Sequence, residues 1–143
     1  MAFWLVKSEP DVWAWEHHLL RGVEPWTGVR NHSAKLHLQA MRLGDRALFY
    51  HSNIGREVVG VVEVVREAYP DPTAEAGPWV CVDLRALHPL PRPVTLAEIK
   101  AHPELGEMAL RKLSRLSVSP VRDHEWGHVM RMASLSPPGR GLG

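Results

Sequence analysis

Cysteine is nearly absent from this chain: Cys81 is the single one in 143 residues. An internal disulfide is therefore excluded, and nothing argues for secretion. No apolar run is long enough to span a bilayer. The first apolar stretch, Phe3-Trp4-Leu5-Val6, is too short and wrongly flanked for a signal peptide. A soluble, cytoplasmic protein without membrane contact is the expectation. A surplus of charge is missing as well. The net charge is +1, far from the strongly basic balance of a protein that grips long stretches of phosphate. Any binding of a polyanion must then rest on a local pocket with a small basic rim, with a salt dependence of only a few phosphates. Phenylalanine and tyrosine are scarce, two of each, against six tryptophans. An indole combines a large apolar face with one donor, so it serves cores and stacking sites alike.

What is present is the composition of an ordinary globular protein, 45% hydrophobic and 23% charged. The length suits one domain, and such a chain buries about 68–70% of its unfolded surface, so its core needs no metal or disulfide. Residues 2–7 read as a strand, and Ser8-Glu9-Pro10-Asp11 breaks it. Asp11 is placed to cap a helix over 12–21, stopped by Gly22. Residues 23–30 read as a loop. Asn31 or Ser33 caps a second helix through Met41, with Leu36, Ala40 and Leu43 at helical spacing. Strands are predicted at 46–51, 58–66 and 79–87. Tyr69-Pro70 ends the second of these, and Pro89, Pro91 and Pro93 form a stiff connector. Thr95 and Glu98 make a capping box for a helix to about Ala101. A short helix at 110–115, a strand at 116–121 and a last helix from Asp123 to about Met132 complete the pattern. Residues 133–143 are expected to be a flexible Pro/Gly/Ser tail. Cys81, in an alternating strand, is read as a buried small hydrophobe. Strands interrupted by short helices, without regular βαβ alternation, indicate α+β.

The most informative segment runs from Trp26 to Ser52. It opens Trp26-Thr27-Gly28-Val29-Arg30-Asn31 and closes Phe49-Tyr50-His51-Ser52-Asn53. An aromatic, a glycine, a guanidinium and an amide within six residues suit stacking on a flat, hydrogen-bonding ligand such as a nucleobase. Trp26 lies among glycine and polar residues, not in an apolar run, so it reads as a pocket wall; the alternative is a core cap beside Pro25. Asn31 reads as an N-cap, as a ligand contact through an amide that offers donor and acceptor, or as both. Side chains alternate along a strand, so Tyr50 and Ser52 should share a face and His51 take the other.

Phe3-Trp4-Leu5-Val6-Lys7-Ser8-Glu9-Pro10, Trp26-Thr27-Gly28-Val29-Arg30-Asn31, Gly44-Asp45, Phe49-Tyr50-His51-Ser52-Asn53, Tyr69-Pro70-Asp71-Pro72-Thr73 and Arg115-Leu116-Ser117-Val118, in this order, resemble the EVE domain. The resemblance covers residues 2–132. It implies a PUA-like fold: a curved, mostly antiparallel, barrel-like sheet with short peripheral helices. The family is similar to YTH domains, which read N6-methyladenine in RNA, and its eukaryotic members include thymocyte nuclear protein. The likeness implies a non-enzymatic nucleic-acid-binding module that reads a modified base, foremost a 5-substituted cytosine in DNA, with modified RNA as the alternative. By the same likeness Trp26 walls the pocket and Lys7, Ser8 and Glu9 flank its mouth. Asn31, His51 and Ser52 supply polar contacts, and Arg30 and Arg115 lie near the rim. No cofactor, metal or catalytic residue is implied, and a monomer is the expectation.

Two enzyme readings stand beside this one. Ser8 with Lys7 could form a nucleophile and base, although an oxyanion hole and a nucleophile-elbow signature are missing. His124-Glu125-Trp126-Gly127-His128 formally matches the zinc-protease helix motif. The other reading of that string is an exposed helix with Trp126 docked on the core. Arg111, Lys112, Arg115 and Arg122 form a basic stretch, read either as a solvated face or as a patch that steers a polyanion.

Overall fold

Period-two alternation organises the centre of the molecule. In β1 (Phe3–Ser8), Trp4 and Val6 bury into one hydrophobic cluster while Leu5 buries into another. In β3 (Arg46–His51), Ala47 and Phe49 join the first cluster, and Leu48 and Tyr50 join the second. The two strands pair in parallel, so one sheet separates two cores. The computed structural model describes residues 1–134.

The helices and remaining strands fall in order around this centre. α1 (Trp15–Arg21), β2 (Val23–Pro25) and α2 (His32–Ala40) lie between β1 and β3, the long connection that a parallel pair requires. β4 (Glu57–Pro70) and β5 (Val80–Thr95) form a long antiparallel pair. α3 (Leu96–Ala101), a 3-10 turn at Pro103–Leu105, α4 (Ala109–Lys112), β6 (Val118–Val121) and α5 (Asp123–Ser134) follow. The six-stranded sheet has the order β2-β5-β4-β3-β1-β6, mixed but mostly antiparallel. Register shifts recur along the β4–β5 pair and between Phe49 and Tyr50; such bulges raise local twist and curve a sheet. The architecture is α+β, as the sequence pattern indicates, and PUA-like, as the resemblance implies.

Several boundaries differ from the sequence reading. α1 begins at Trp15, not after Asp11. The chain first makes a turn in which the amides of Val12 and Trp13 donate to the Glu9 carbonyl, which delays helical bonding. Residues 23–25 are a strand on the sheet edge, paired with β5. β4 runs through Pro70, and β5 runs through all three expected connector prolines. Pro89 sits opposite Gly60 across the β4 pair, beyond the stretch that β2 covers on the outer side, so its missing N–H costs little there. In α2 the buried positions are Ala34 and Leu38, with Met41 just beyond, while Leu36 and Leu43 are exposed. α5 takes in residues 133 and 134 of the expected tail; the rest of that tail lies outside the described residues. Cys81 is fully buried.

α1 sits on the sheet through Trp15, whose indole edge crosses β4 at Gly60. A Cβ at Gly60 would lie 2.5 Å from the Trp15 ring, so only glycine admits this approach. Beneath it, Phe49 meets Trp15 edge-on at 5.3 Å and Trp26 at 5.4 Å. On the other face α5 is pinned by Trp126, stacked on Phe3 at 4.2 Å. No described helix is long and apolar enough to cross a membrane.

Candidate functional site

Two neighbouring concavities open where β1 ends, and they share Lys7, Glu9 and Ser117. The first, of about 510 Å³, is built from the β1 exit (Lys7, Ser8, Glu9), the turn before α1 (Val12, Trp13), the end of β2 and the loop that follows it to Asn31. Its size lies within the roughly 300–1,000 Å³ range of small-ligand sites. The second, of about 630 Å³, is lined among others by Tyr50, Ser52, Arg56, Lys100 and Arg115.

Trp26 sits at the border between core and cavity. It is 8% exposed and belongs to the first core cluster, yet it also lines the first cavity. The strand β2 and the bond from its amide to the Val82 carbonyl, 2.7 Å, fix its backbone. Trp13 is a second indole on the same cavity, and the sequence reading did not single it out. Its Nε1 donates to His18 Nδ1 at 3.0 Å, and His18 Nε2 lies 2.8 Å from the Leu84 carbonyl. Those partners set the tautomer with the proton on Nε2. Burial lowers the pKa of His18, against a smaller opposing effect of the Leu84 carbonyl and Glu24.

The loop that carries Arg30 is anchored by Asp71. Its Oδ2 accepts from the Gly28 amide at 2.8 Å and from Arg30 Nη1 at 3.0 Å, while Oδ1 accepts from the amide and hydroxyl of Thr73. Burial alone would raise the Asp71 pKa, but bonds from Thr73, Gly28 and Arg30 hold it at about 2. Gly28 makes the loop possible with φ +85°, a conformation that side chains disfavour. Arg30 is thus neutralised by Asp71, bonded to Thr73 and set beside the Trp79 ring. It lines the cavity as a positioned wall rather than a free cation. The Asp71-Pro72-Thr73 pattern, an aspartate two residues before a threonine, is the sequence signal for this anchor.

The other expected site residues divide between the two cavities. Asn31 lines the first cavity and caps α2, its side-chain oxygen accepting from the Ala34 amide at 2.9 Å. Its NH₂ group is the part left to meet a ligand. Ser8 lines the first cavity and its hydroxyl donates to the Trp13 carbonyl. Lys7 Nζ donates to the Ser114 carbonyl at 2.7 Å, and burial lowers its pKa. Glu9 is exposed at the wall common to both cavities. Ser52 and Arg115 line only the second cavity.

His51 lines neither cavity. It is buried on the opposite face from Tyr50, where Nε2 accepts the Trp15 amide at 3.0 Å. Strand alternation accounts for this placement: the extra residue of the bulge, Val59, lies on β4, so β3 keeps its alternation through His51.

The enzyme-like patterns are occupied otherwise. Ser8 is bonded to a carbonyl, and Lys7 points from the other face of β1. In the His124–His128 string, Glu125 is buried and accepts the Arg122 amide at 2.8 Å, so it serves the start of α5. The His124 and His128 rings lie 6.4 Å apart at 85°. Among the described residues no group of three His, Cys, Asp or Glu is arranged to hold a metal ion.

A family model described as the EVE domain matches residues 2–132. Thymocyte nuclear protein 1 of Gallus gallus is 33% identical over 173 aligned positions, covering 94% of this chain and 69% of that protein. The NMR structure of Rpa0253 from Rhodopseudomonas palustris is similar with a TM-score of 0.89 at 56% identity, over 100% of both chains. The crystal structure of human THYN1 in complex with DNA containing 5-methylcytosine is similar with a TM-score of 0.85 at 30% identity, over 96% of this chain and 100% of that one. A YTH domain, from Zygosaccharomyces rouxii MRB1 in complex with N6-methyladenosine RNA, shares the fold at a TM-score of 0.60 and 16% identity, over 95% and 88% of the two chains.

Proposed function

The chain belongs to the EVE domain family, and from that premise we propose that it is a non-enzymatic nucleic-acid-binding module that reads a modified base, foremost a 5-substituted cytosine in DNA. The observation that carries the reading is the first cavity, where Trp13 and Trp26 stand among polar groups with complementary demands. A base extruded from its stack costs a few kcal/mol. Stacking on an indole recovers about 1–3 kcal/mol, and hydrogen bonds along the base edge add to it. Glu9 and Glu24, both on the cavity wall, are acceptors of the kind that match the N4 amine of cytosine. The Asn31 NH₂ group is a donor of the kind that matches its carbonyl. The human relative crystallised with DNA containing 5-methylcytosine supports the same ligand class.

Discrimination should be modest for a methyl group. Burying one contributes about 0.8 kcal/mol, near fourfold in affinity. A hydroxymethyl group that forms a hydrogen bond would add to this. The test is a titration of matched DNA and RNA oligonucleotides that carry cytosine, 5-methylcytosine or 5-hydroxymethylcytosine at one position. The expected result is a preference of about fourfold or more for a modified DNA strand. Trp26→Phe, which keeps most of the core packing, should weaken all three. Equal affinities throughout, insensitive to Trp26→Phe and to Trp13→Ala, would remove the proposal.

A further inference from the structure

Among the described residues five lysine and arginine side chains have carboxylate partners. Arg21, Arg30, Arg85, Arg92 and Lys112 pair with Glu24, Asp71, Glu63, Glu98 and Glu107 at 2.5–3.0 Å. The second cavity gathers cations that have none. Lys7, Arg56, Lys100 and Arg115 converge on it from β1, the β3–β4 turn, α3 and the segment after α4. Among the described residues none of the four forms an ion pair within 4.0 Å. The single acidic group on the wall is Glu9. Four unpaired cations around one concavity repel each other unless an anion lies between them. The backbone adds a second sign. The turn that presents Arg56 holds Asn53 at φ +64°, Gly55 at +88° and Arg56 itself at +49°. A left-handed arginine costs free energy, and such residues persist where a site requires them. The Leu96 amide clamps this turn through the Arg56 carbonyl at 2.8 Å.

We propose that the second cavity is a phosphate track: it holds the backbone phosphodiesters next to the base lodged in the first cavity. The inference rests on the nucleic-acid reading above. The shared wall of Lys7, Glu9 and Ser117 makes the two cavities contiguous, as one nucleotide and its neighbour demand. It also resolves how a chain of net charge +1 can bind a polyanion: Arg30 is neutralised by Asp71 beside the base cavity, and the free charge is concentrated next door. A strand carries one charge per nucleotide at regular spacing, which suits a row of separated cations better than a single phosphate does.

The experiment uses a fluorescent single strand with one 5-methylcytosine, its unmodified counterpart, and the free 5-methyl-2′-deoxycytidine nucleoside. Affinities are measured across sodium chloride concentrations for the native chain and for Arg56→Gln/Lys100→Gln, whose folding is checked by thermal melting. The native chain should bind the strand more tightly than the nucleoside, with log affinity falling linearly in log salt. The double variant should lower that slope by about 1.4, at about 0.7 per cation removed for a single strand. It should weaken modified and unmodified strands by the same factor. A slope equal to the native one, or polyglutamate competing as well as the strand, overturns the phosphate track. A native chain without preference for 5-methylcytosine, together with a lowered slope in the double variant, would sink the base-reading proposal and leave the track standing.

Discussion

A buried imidazole that accepts a hydrogen bond must stay neutral to do so. His18 accepts from the Trp13 indole and His51 accepts from the Trp15 amide, so protonation of either accepting nitrogen breaks a bond that holds the α1 region. Both groups have pKa values lowered from their ordinary 6.5, mainly by burial. A folded-state value below the unfolded one means that the unfolded chain binds more protons in the interval between them. The stability these residues contribute is therefore fully present above about pH 6.5 and is lost as pH falls toward and through the folded-state values. The melting temperature should drop as pH is lowered from 7.5 to 5, and His51→Gln, which cannot titrate there, should flatten part of that drop. Since Trp13 lines the first cavity, the proposed base site, affinity for an oligonucleotide should fall over the same range. A melting temperature constant between pH 7.5 and 5 would contradict the assignment. Asp71 acts in a separate window: its pKa of about 2, below the ordinary 3.8, secures the Gly28–Arg30 loop at any pH above about 4.

The helix α2 joins local structure to the site, because its N-cap is a cavity residue. Asn31 spends its side-chain oxygen on the Ala34 amide, which leaves the NH₂ group for a ligand. Asparagine and aspartate cap comparably well, and alanine costs about 1 kcal/mol. Asn31→Ala should therefore lower both melting temperature and affinity. Asn31→Asp should keep the melting temperature, with some gain from the helix dipole, yet weaken binding by about fivefold through loss of one donor worth about 1 kcal/mol. Unimpaired binding by Asn31→Asp, measured by oligonucleotide titration, would reduce Asn31 to a cap alone. This cap is legible in the sequence, as is the Thr95–Glu98 box at α3, because both depend on residues within one turn. The buried face of α2 is not. Leu36, Ala40 and Leu43 keep helical spacing but face water, since the sheet approaches from the side of Ala34 and Leu38. Local spacing names a stripe; only the neighbouring strand decides which stripe is covered.

At the scale of the whole molecule, the legible features are those that short-range pattern controls. Alternation in β1 and β3 is visible in the sequence, and by itself it assigns Tyr50 and His51 to opposite faces. Long-range pairing is not visible. Nothing local announces that β1 lies parallel to β3, that residues 23–25 become an edge strand, or that β5 continues past Pro89, Pro91 and Pro93. The second cavity is hidden for the same reason: Arg56, Lys100 and Arg115 meet only because the sheet curves and α3 and the segment after α4 pack over one end of it. The sheet that brings them together also couples the two cores. Trp4, Trp15 and Trp26 report on one face, whereas Ile99 is fully buried on the other. β1 and β3 contribute side chains to both clusters from consecutive residues, so neither face can lose its packing while the other keeps its strands. In a Trp126→Phe background, tryptophan fluorescence should follow mainly the first face and far-ultraviolet dichroism the whole fold. Ile99→Ala, an apolar truncation costing about 2–5 kcal/mol, should lower both midpoints equally, with the two probes remaining coincident as two-state unfolding requires. Fluorescence that melts at its original temperature while dichroism shifts would mean that the faces unfold separately, and the first cavity would then be insulated from the stability of the second face.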